Sequence, residues 1–192
     1  MIKIVLFLSA VLMELFYILM FLRTINSSTF RFWPPPSQHS WQFFTSWIVA
    51  FLVAVNFFFL GLLDFDSFLF HNWFRIPIAL TIFFFASIIG TWSFLHFGLR
   101  TTLGLETRLI TDGPYRYSRN PQYVGDILNI IAYMVLTNSW MVWVIGTLGI
   151  TLNVIAPFTE ESWLEERYGA EYLAYRERVP RFIGFRKKDG AL

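Results

Sequence analysis

The chain has no cysteine, which excludes disulfides, thiolate metal sites and a thiol nucleophile. Charge is scarce: Asp, Glu, Lys and Arg make up 15% of the residues, against about 25% in a soluble domain. There are three histidines, and they form no metal-ligand cluster with the acids. Internal repeats and Gly/Ser linkers are absent, so residues 1–192 read as a single domain. What is abundant is apolar, with 56% hydrophobic and 20% aromatic residues. One soluble core of this length could not bury so much. Intrinsic disorder, a coiled coil and a soluble α/β enzyme are excluded. An all-α polytopic membrane protein is left.

A helix needs about 20 apolar residues to cross a hydrocarbon core of about 30 Å. Residues 4–22 form such a run with one charge, Glu14, and residues 41–63 and 76–95 have none. Residues 127–158 are also uncharged but too long for one straight span. Thr137-Asn138-Ser139 near the middle is turn-like. The run predicts a tight hairpin of 121–136 and 140–158, and five spans in all. Residues 1–97 then hold three N-terminal spans and 98–192 a core made of the hairpin and the polar segments on either side of it. Lys3 and the run after it suit either a cleaved signal or a retained anchor, and no small-residue cleavage site is clear.

Of the 15 Lys and Arg residues, all but Lys3 and Arg75 fall on one side of such a bundle. The positive-inside rule puts that side in the cytoplasm and the N-terminus outside. The net charge of +2 therefore points to membrane orientation rather than to nucleic acid. Trp33, Trp41, Trp73, Trp140 and Trp163 lie at span ends, where interfacial aromatics belong. Trp33-Pro34-Pro35-Pro36 is a stiff extended spacer with no assigned chemistry. Asn56 and Asn153 read as glue between helices. Glu14 reads as structural or paired to another helix ahead of a functional role, and His96 as a hydrogen-bonded helix residue.

The polar residues concentrate in two blocks. The first is 104–126. It carries an Asp112-Gly113-Pro114 turn and an Asn120-Pro121 turn. A helix can begin at Pro121 with Asn120 as its cap, leaving a helix N-terminus that favours anions. Asp126 and Asn129, one turn apart, suit a pocket lining as well as helix packing. The second block is 159–181. Glu160 and Glu161 follow an uncharged span directly, where carboxylates need partners or a function. Leu164, Tyr168, Tyr172 and Tyr175 then share one face of an amphipathic helix, which Gly169 weakens. Glu165, Glu166 and Glu171 read as its solvated face, and Arg186, Lys187 and Lys188 as headgroup anchors. The hairpin brings both blocks to one cytoplasmic mouth. Carboxylates beside arginines and a helix N-terminus suit a zwitterionic ligand such as an amino acid.

Gly113-Pro114-Tyr115-Arg116-Tyr117-Ser118-Arg119-Asn120-Pro121-Gln122-Tyr123-Val124-Gly125 resembles the GPYR-x-x-RHPxYxG signature of the isoprenylcysteine carboxyl methyltransferase and phospholipid methyltransferase superfamily. The stretch from Glu160-Glu161 through Tyr168-Gly169, Tyr172 and Tyr175 is similar to that superfamily's second motif, and Arg178-Val179-Pro180-Arg181-Phe182 to its close. The resemblance covers roughly the last 100 residues. It implies S-adenosylmethionine as methyl donor, bound at the cytosolic face, and a lipophilic or small acceptor arriving from the bilayer. It implies cofactor contacts from Gly113, Tyr115, Arg119, Asn120, Tyr123, Glu160 and Glu161, and no metal. Arg116 and Arg178 are candidates to pair with the cofactor carboxylate, and with Asn120 they form the candidate catalytic set.

Asn120 stands where the family has His, and Asn cannot titrate near neutral pH. This argues against proton transfer there. Members that methylate a prenylcysteine carboxylate carry an arginine shortly before the glutamate pair, whereas Asn153-Val154-Ile155-Ala156-Pro157-Phe158-Thr159 holds no basic residue, which argues against a prenylcysteine substrate. Two other readings remain open at this stage. Arg119, Tyr123, Gly125 and Asp126 also satisfy an R-x-x-x-Y-x-G-D pattern of NADPH-dependent sterol-reductase-like proteins, which are usually larger. A non-enzymatic membrane scaffold is the third.

Overall fold

The structure, a computed structural model, describes residues 1–105 and 108–184. Arg186, Lys187 and Lys188 lie outside the described residues. There are five α-helices and, among the described residues, no strand: α1 (Ile2–Ile25), α2 (Trp41–Leu63), α3 (Arg75–Thr102), α4 (Pro121–Thr137) and α5 (Trp140–Arg178). A short 3-10 turn, Gly113–Arg116, precedes α4. Helices α1, α2, α3 and α5 are long and apolar enough to cross a membrane. Leu12, Phe51, Phe84 and Leu95 stand exposed on their outer faces, as lipid-facing side chains do and water-facing ones rarely do in such numbers. The chain is an integral membrane protein.

Length and composition pick out these four; the fifth expected span, α4, is shorter. Helix α4 has 17 residues, about 26 Å at 1.5 Å per residue, a little short of a hydrocarbon core. Helix α5 has 39 residues, because the fifth apolar run and the tail expected as a separate helix are continuous. Its apolar part is 140–158 and its polar part begins at Thr159. The helical path breaks at Gly169 (φ 51°, ψ −126°), as the glycine suggested. Helix α3 has a comparable break at Gly98 (φ 75°, ψ 161°), just beyond the apolar run. The residues just before this break meet the Gly113–Arg116 turn: His96 lies against Gly113 and Phe97 against Tyr115.

The hairpin forms where Thr137-Asn138-Ser139 predicted. Asn138 takes the left-handed conformation at φ 46°, which Asn tolerates better than most residues. Ser139 caps α5 through its Oγ, which accepts from the Val142 N–H at 3.2 Å. The loop after α2 clamps this turn. The Asp66 N–H donates to the Thr137 carbonyl at 2.8 Å and the Phe68 N–H to the Asn138 carbonyl at 2.9 Å. Asn138 Nδ2 donates to Asp66 Oδ1 at 2.8 Å, and Asn138 Oδ1 accepts from the Phe70 N–H at 3.1 Å. Ser139 Oγ donates to Asp64 at 2.7 Å, and Lys3 Nζ reaches the same carboxylate at 2.9 Å. One end of the bundle is therefore tied through α1, α2 and the hairpin together.

Small residues set the helix spacing, as they do in membranes. A Cβ on Gly125 of α4 would lie 3.1 Å from the Gly90 nitrogen of α3. Asn56 Nδ2 of α2 donates to Ser9 Oγ of α1 at 2.8 Å, so it does join two helices. Asn153 does not act through that group: its Nδ2 donates to the Gly149 carbonyl of its own helix.

Asn138→Val removes two side-chain hydrogen bonds and puts a β-branched residue at positive φ. The expected loss is about 2–3 kcal/mol, read as a lower melting temperature in detergent. Ser67→Ala at the same end should cost less than half as much.

Candidate functional site

The opposite end of the bundle gathers the loop after α1, the end of α3, the turn before α4 and the polar part of α5. They enclose a cavity of about 200 Å³. Both polar sequence blocks line it: Arg119, Asn120, Tyr123 and Asp126 from the first, and Glu160, Glu161, Leu164, Tyr168, Tyr172 and Tyr175 from the second. The apolar stripe expected on the tail is thus a cavity wall. Glu165, Glu166 and Glu171 are exposed, as expected.

Local sequence explains the turn before α4. Gly113 has φ +56°, and a Cβ there would fall 2.3 Å from His96 Cδ2. Only glycine lets α3 and the turn approach this closely. His96 is a helix-bonded residue, with Nδ1 3.0 Å from the Trp92 carbonyl. Tyr115 is buried and stacks on Phe97 with centroids 5.1 Å apart. Its carbonyl accepts from the Tyr175 hydroxyl at 2.8 Å, which joins the turn to α5. Burial drives the Tyr115 phenol pKa upward, so it stays neutral.

Asn120 sits at the start of α4, but its side chain makes no capping hydrogen bond. Against the expected cap, Asn120 Nδ2 donates instead to the Arg181 carbonyl at 2.9 Å. The Arg119 N–H donates to the Pro180 carbonyl at 2.9 Å, and Ser118 Oγ to the Arg181 carbonyl at 3.3 Å. The segment after α5 is thereby laced to the segment before α4.

The two glutamates find different partners. Glu161 is gripped by Arg181, with Nε and Nη2 each 2.7 Å from a carboxylate oxygen. Arg119 Nη1 lies 3.0 Å from Glu161 Oε1 and also donates to the Tyr172 hydroxyl at 3.1 Å. Arg181 also stacks over Phe158, 3.9 Å from the ring centre. Desolvation raises the Glu161 pKa, but the Arg181 hydrogen bonds and the charges of Arg119, Arg181 and Arg176 outweigh it, leaving the carboxyl below its usual range.

Glu160 has no cationic partner among the described residues. Its Oε1 accepts from Trp33 Nε1 at 2.6 Å and from the Tyr123 hydroxyl, while Trp33 Nε1 also lies 3.1 Å from that hydroxyl. Oε2 accepts no hydrogen bond from the described residues. Burial raises the Glu160 pKa above the carboxylate norm against those two hydrogen bonds, and the neighbouring Glu161 charge adds to the rise.

The other predicted residues separate. Gly113 shapes the turn without lining the cavity, and Tyr115 lines it. Arg116 and Arg178 are exposed and neither lines it; Arg178 Nε turns back to the Ala174 carbonyl at 3.1 Å. Sequence reasoning missed Trp33, set aside as part of a spacer, and Arg181, noted only within a closing motif. It also missed Arg108, which lines the mouth. For Trp33 the one available signal was an interfacial Trp held in place by the rigid prolines after it. Among the described residues no cluster of His, Asp and Glu could hold a metal.

A family model described as phospholipid methyltransferase matches residues 68–171. The match includes the turn before α4 and the glutamate pair, and excludes Trp33 and Arg181. No curated protein and no solved structure matches the chain.

A carboxyl with a lowered folded pKa contributes stability that is fully present above its unfolded value, here 4.5, and lost as pH falls through the lowered one. Glu161→Gln should melt below the parent near neutral pH, and the gap should close as pH drops below 4.5. A gap that stays constant to about pH 3 contradicts the ion-pair account.

Proposed function

Because the chain belongs to the phospholipid methyltransferase family, we propose that it is an integral membrane methyltransferase that takes its methyl group from S-adenosylmethionine. The acceptor is lipophilic or small, and transfer occurs at the cytoplasmic face, where the positive-inside rule puts the cavity. One observation carries the cofactor assignment: Glu160 presents an oxygen that no donor among the described residues uses, inside an aromatic-walled cavity shared by the two motif-bearing segments.

The residues fit such a cofactor. Glu160 would hold its ammonium, with Trp33 and Tyr123 fixing the carboxyl's orientation. Arg108 at the mouth is better placed than Arg116 or Arg178 for its carboxylate. The faces of Tyr115, Trp163, Tyr168 and Tyr172 suit a planar base and a sulfonium, which aromatic faces attract. The enclosed part, about 200 Å³, is smaller than the roughly 300–1,000 Å³ of pockets that surround a whole small ligand. The remainder would extend through the mouth.

When bound, S-adenosylmethionine supplies an already activated methyl group. The protein's contribution is therefore position and exclusion of water. Glu161 acts on the frame: pairing with Arg119 and Arg181, it closes the segment after α5 over the cavity. Asn120 helps fasten that closure through the Arg181 carbonyl, a positioning role that needs no titration. An amine acceptor must lose a proton. Glu160, with its raised pKa, and Asp126, which lines the same cavity, are the acidic groups near enough to receive it.

Isothermal titration with S-adenosylhomocysteine tests the assignment. Glu160→Gln should weaken binding about tenfold or more, equivalent to about 1.4 kcal/mol, while Arg116→Ala and Arg178→Ala stay within about twofold of the parent. Unchanged affinity in the Glu160→Gln/Glu161→Gln double variant would refute it. Heat from NADPH in place of S-adenosylhomocysteine would favour the reductase reading instead.

A further inference from the structure

A second cavity lies deeper in the membrane, among α1, α2, α4 and α5, with a volume of about 330 Å³. This falls within the roughly 300–1,000 Å³ of small-ligand pockets. Its walls are almost wholly apolar, including Ala50, Val53, Ile145 and Leu152. Ala54 lines it and is exposed on the outer surface of α2, so it opens toward lipid. Trp33, Trp47 and Tyr123 line both this cavity and the one described above.

One carboxyl stands in it. Glu14, halfway along α1, is 2% exposed, and its Oε2 is buried with no hydrogen-bond partner. The cavity lining contains no Lys, Arg or His among the described residues. Two polar groups of the lining donate elsewhere: Asn153 Nδ2 to the Gly149 carbonyl, and the Tyr17 hydroxyl to the Ser46 carbonyl. The fold makes room for the acid, since a Cβ on Gly149 would lie 3.3 Å from Glu14 Oε1. An unpartnered carboxyl at mid-membrane is costly, and charged or neutral it retains acceptor oxygens. Water is a poor occupant, because a buried water needs about three polar partners.

We infer that this cavity is a binding site for a lipophilic molecule carrying one hydrogen-bond-donating group, O–H or N–H, which Glu14 accepts while the apolar body fills the rest. Gly149 is eleven residues from Glu160 along α5, about 16 Å. The group held by Glu14 is therefore not the group that would receive a methyl. The site stands on this cavity alone and needs no cofactor.

Native mass spectrometry of the full-length protein released from detergent tests it, with 1-hexadecanol and its methyl ether as probes. The alcohol should bind on the order of tenfold tighter than the ether, the ratio one buried hydrogen bond of about 1.4 kcal/mol gives. Glu14→Leu should reduce the alcohol to the level of the ether. Glu14→Gln, which keeps an acceptor oxygen and guards against a folding artefact, should retain the preference. Equal binding of the two probes to the parent, or a preference that survives Glu14→Leu, overturns the inference. S-adenosylhomocysteine added to the same samples reports the other cavity separately. Its failure to bind while the alcohol preference holds would count against the proposed function and leave this site standing.

Discussion

Two adjacent carboxyls sit where an apolar helix reaches the edge of the bilayer, and neither can be left there alone. Desolvating a carboxylate costs several kcal/mol unless charge or hydrogen bonds offset it. The chain meets this demand twice, with different chemistry. Glu161 draws Arg119 from before α4 and Arg181 from after α5, which closes one side of the cavity with charge. Glu160 draws Trp33 from the loop after α1 and Tyr123 from α4, which closes the other side with neutral donors. Three stretches distant from one another, at Trp33, Arg119–Tyr123 and Arg181, meet because two neighbouring acids need partners.

The difference between the acids divides their work. A carboxylate held bidentate by arginine has no oxygen to spare, so Glu161 serves as frame. A carboxyl held at one oxygen by neutral donors keeps the other, so Glu160 can meet an incoming cation. The same reasoning applies to Glu14, with the opposite outcome. In the first cavity the protein supplies partners from every side. In the second, Glu14 Oε2 has no partner among the described residues, and the absence of a side chain at Gly149 leaves room for the acid.

Much of this was legible in the sequence where the signal is local. Apolar runs give the helices, Thr137-Asn138-Ser139 the hairpin, and the Leu164, Tyr168, Tyr172 and Tyr175 spacing a shared helix face, which the structure turns to the cavity. The convergence of the two polar blocks followed from topology alone. What was not legible depends on long-range choices. Trp33 read as an interfacial anchor because its indole N–H finds Glu160 only across 127 positions. Arg181 could not be told from Arg178 as the acid's partner until the chain turned after α5. Asn120 looked like a cap because it occupies a cap position, yet the nearby Arg181 carbonyl captured its amide. The number of spans is the least legible feature for a simple reason: α4, with 17 residues, is the shortest of the α-helices, at the low end of what a bilayer needs.

The account is tested most directly by asking where the methyl donor touches the chain. Ultraviolet cross-linking of tritiated S-adenosylmethionine to the detergent-solubilised protein, followed by peptide mapping, answers this. Label is expected in peptides holding Tyr115 and Tyr123 or Trp163 to Tyr175, and excess unlabelled donor should suppress it. Label confined to α1, α2 or the hairpin end, or label that excess donor does not suppress, would contradict the account.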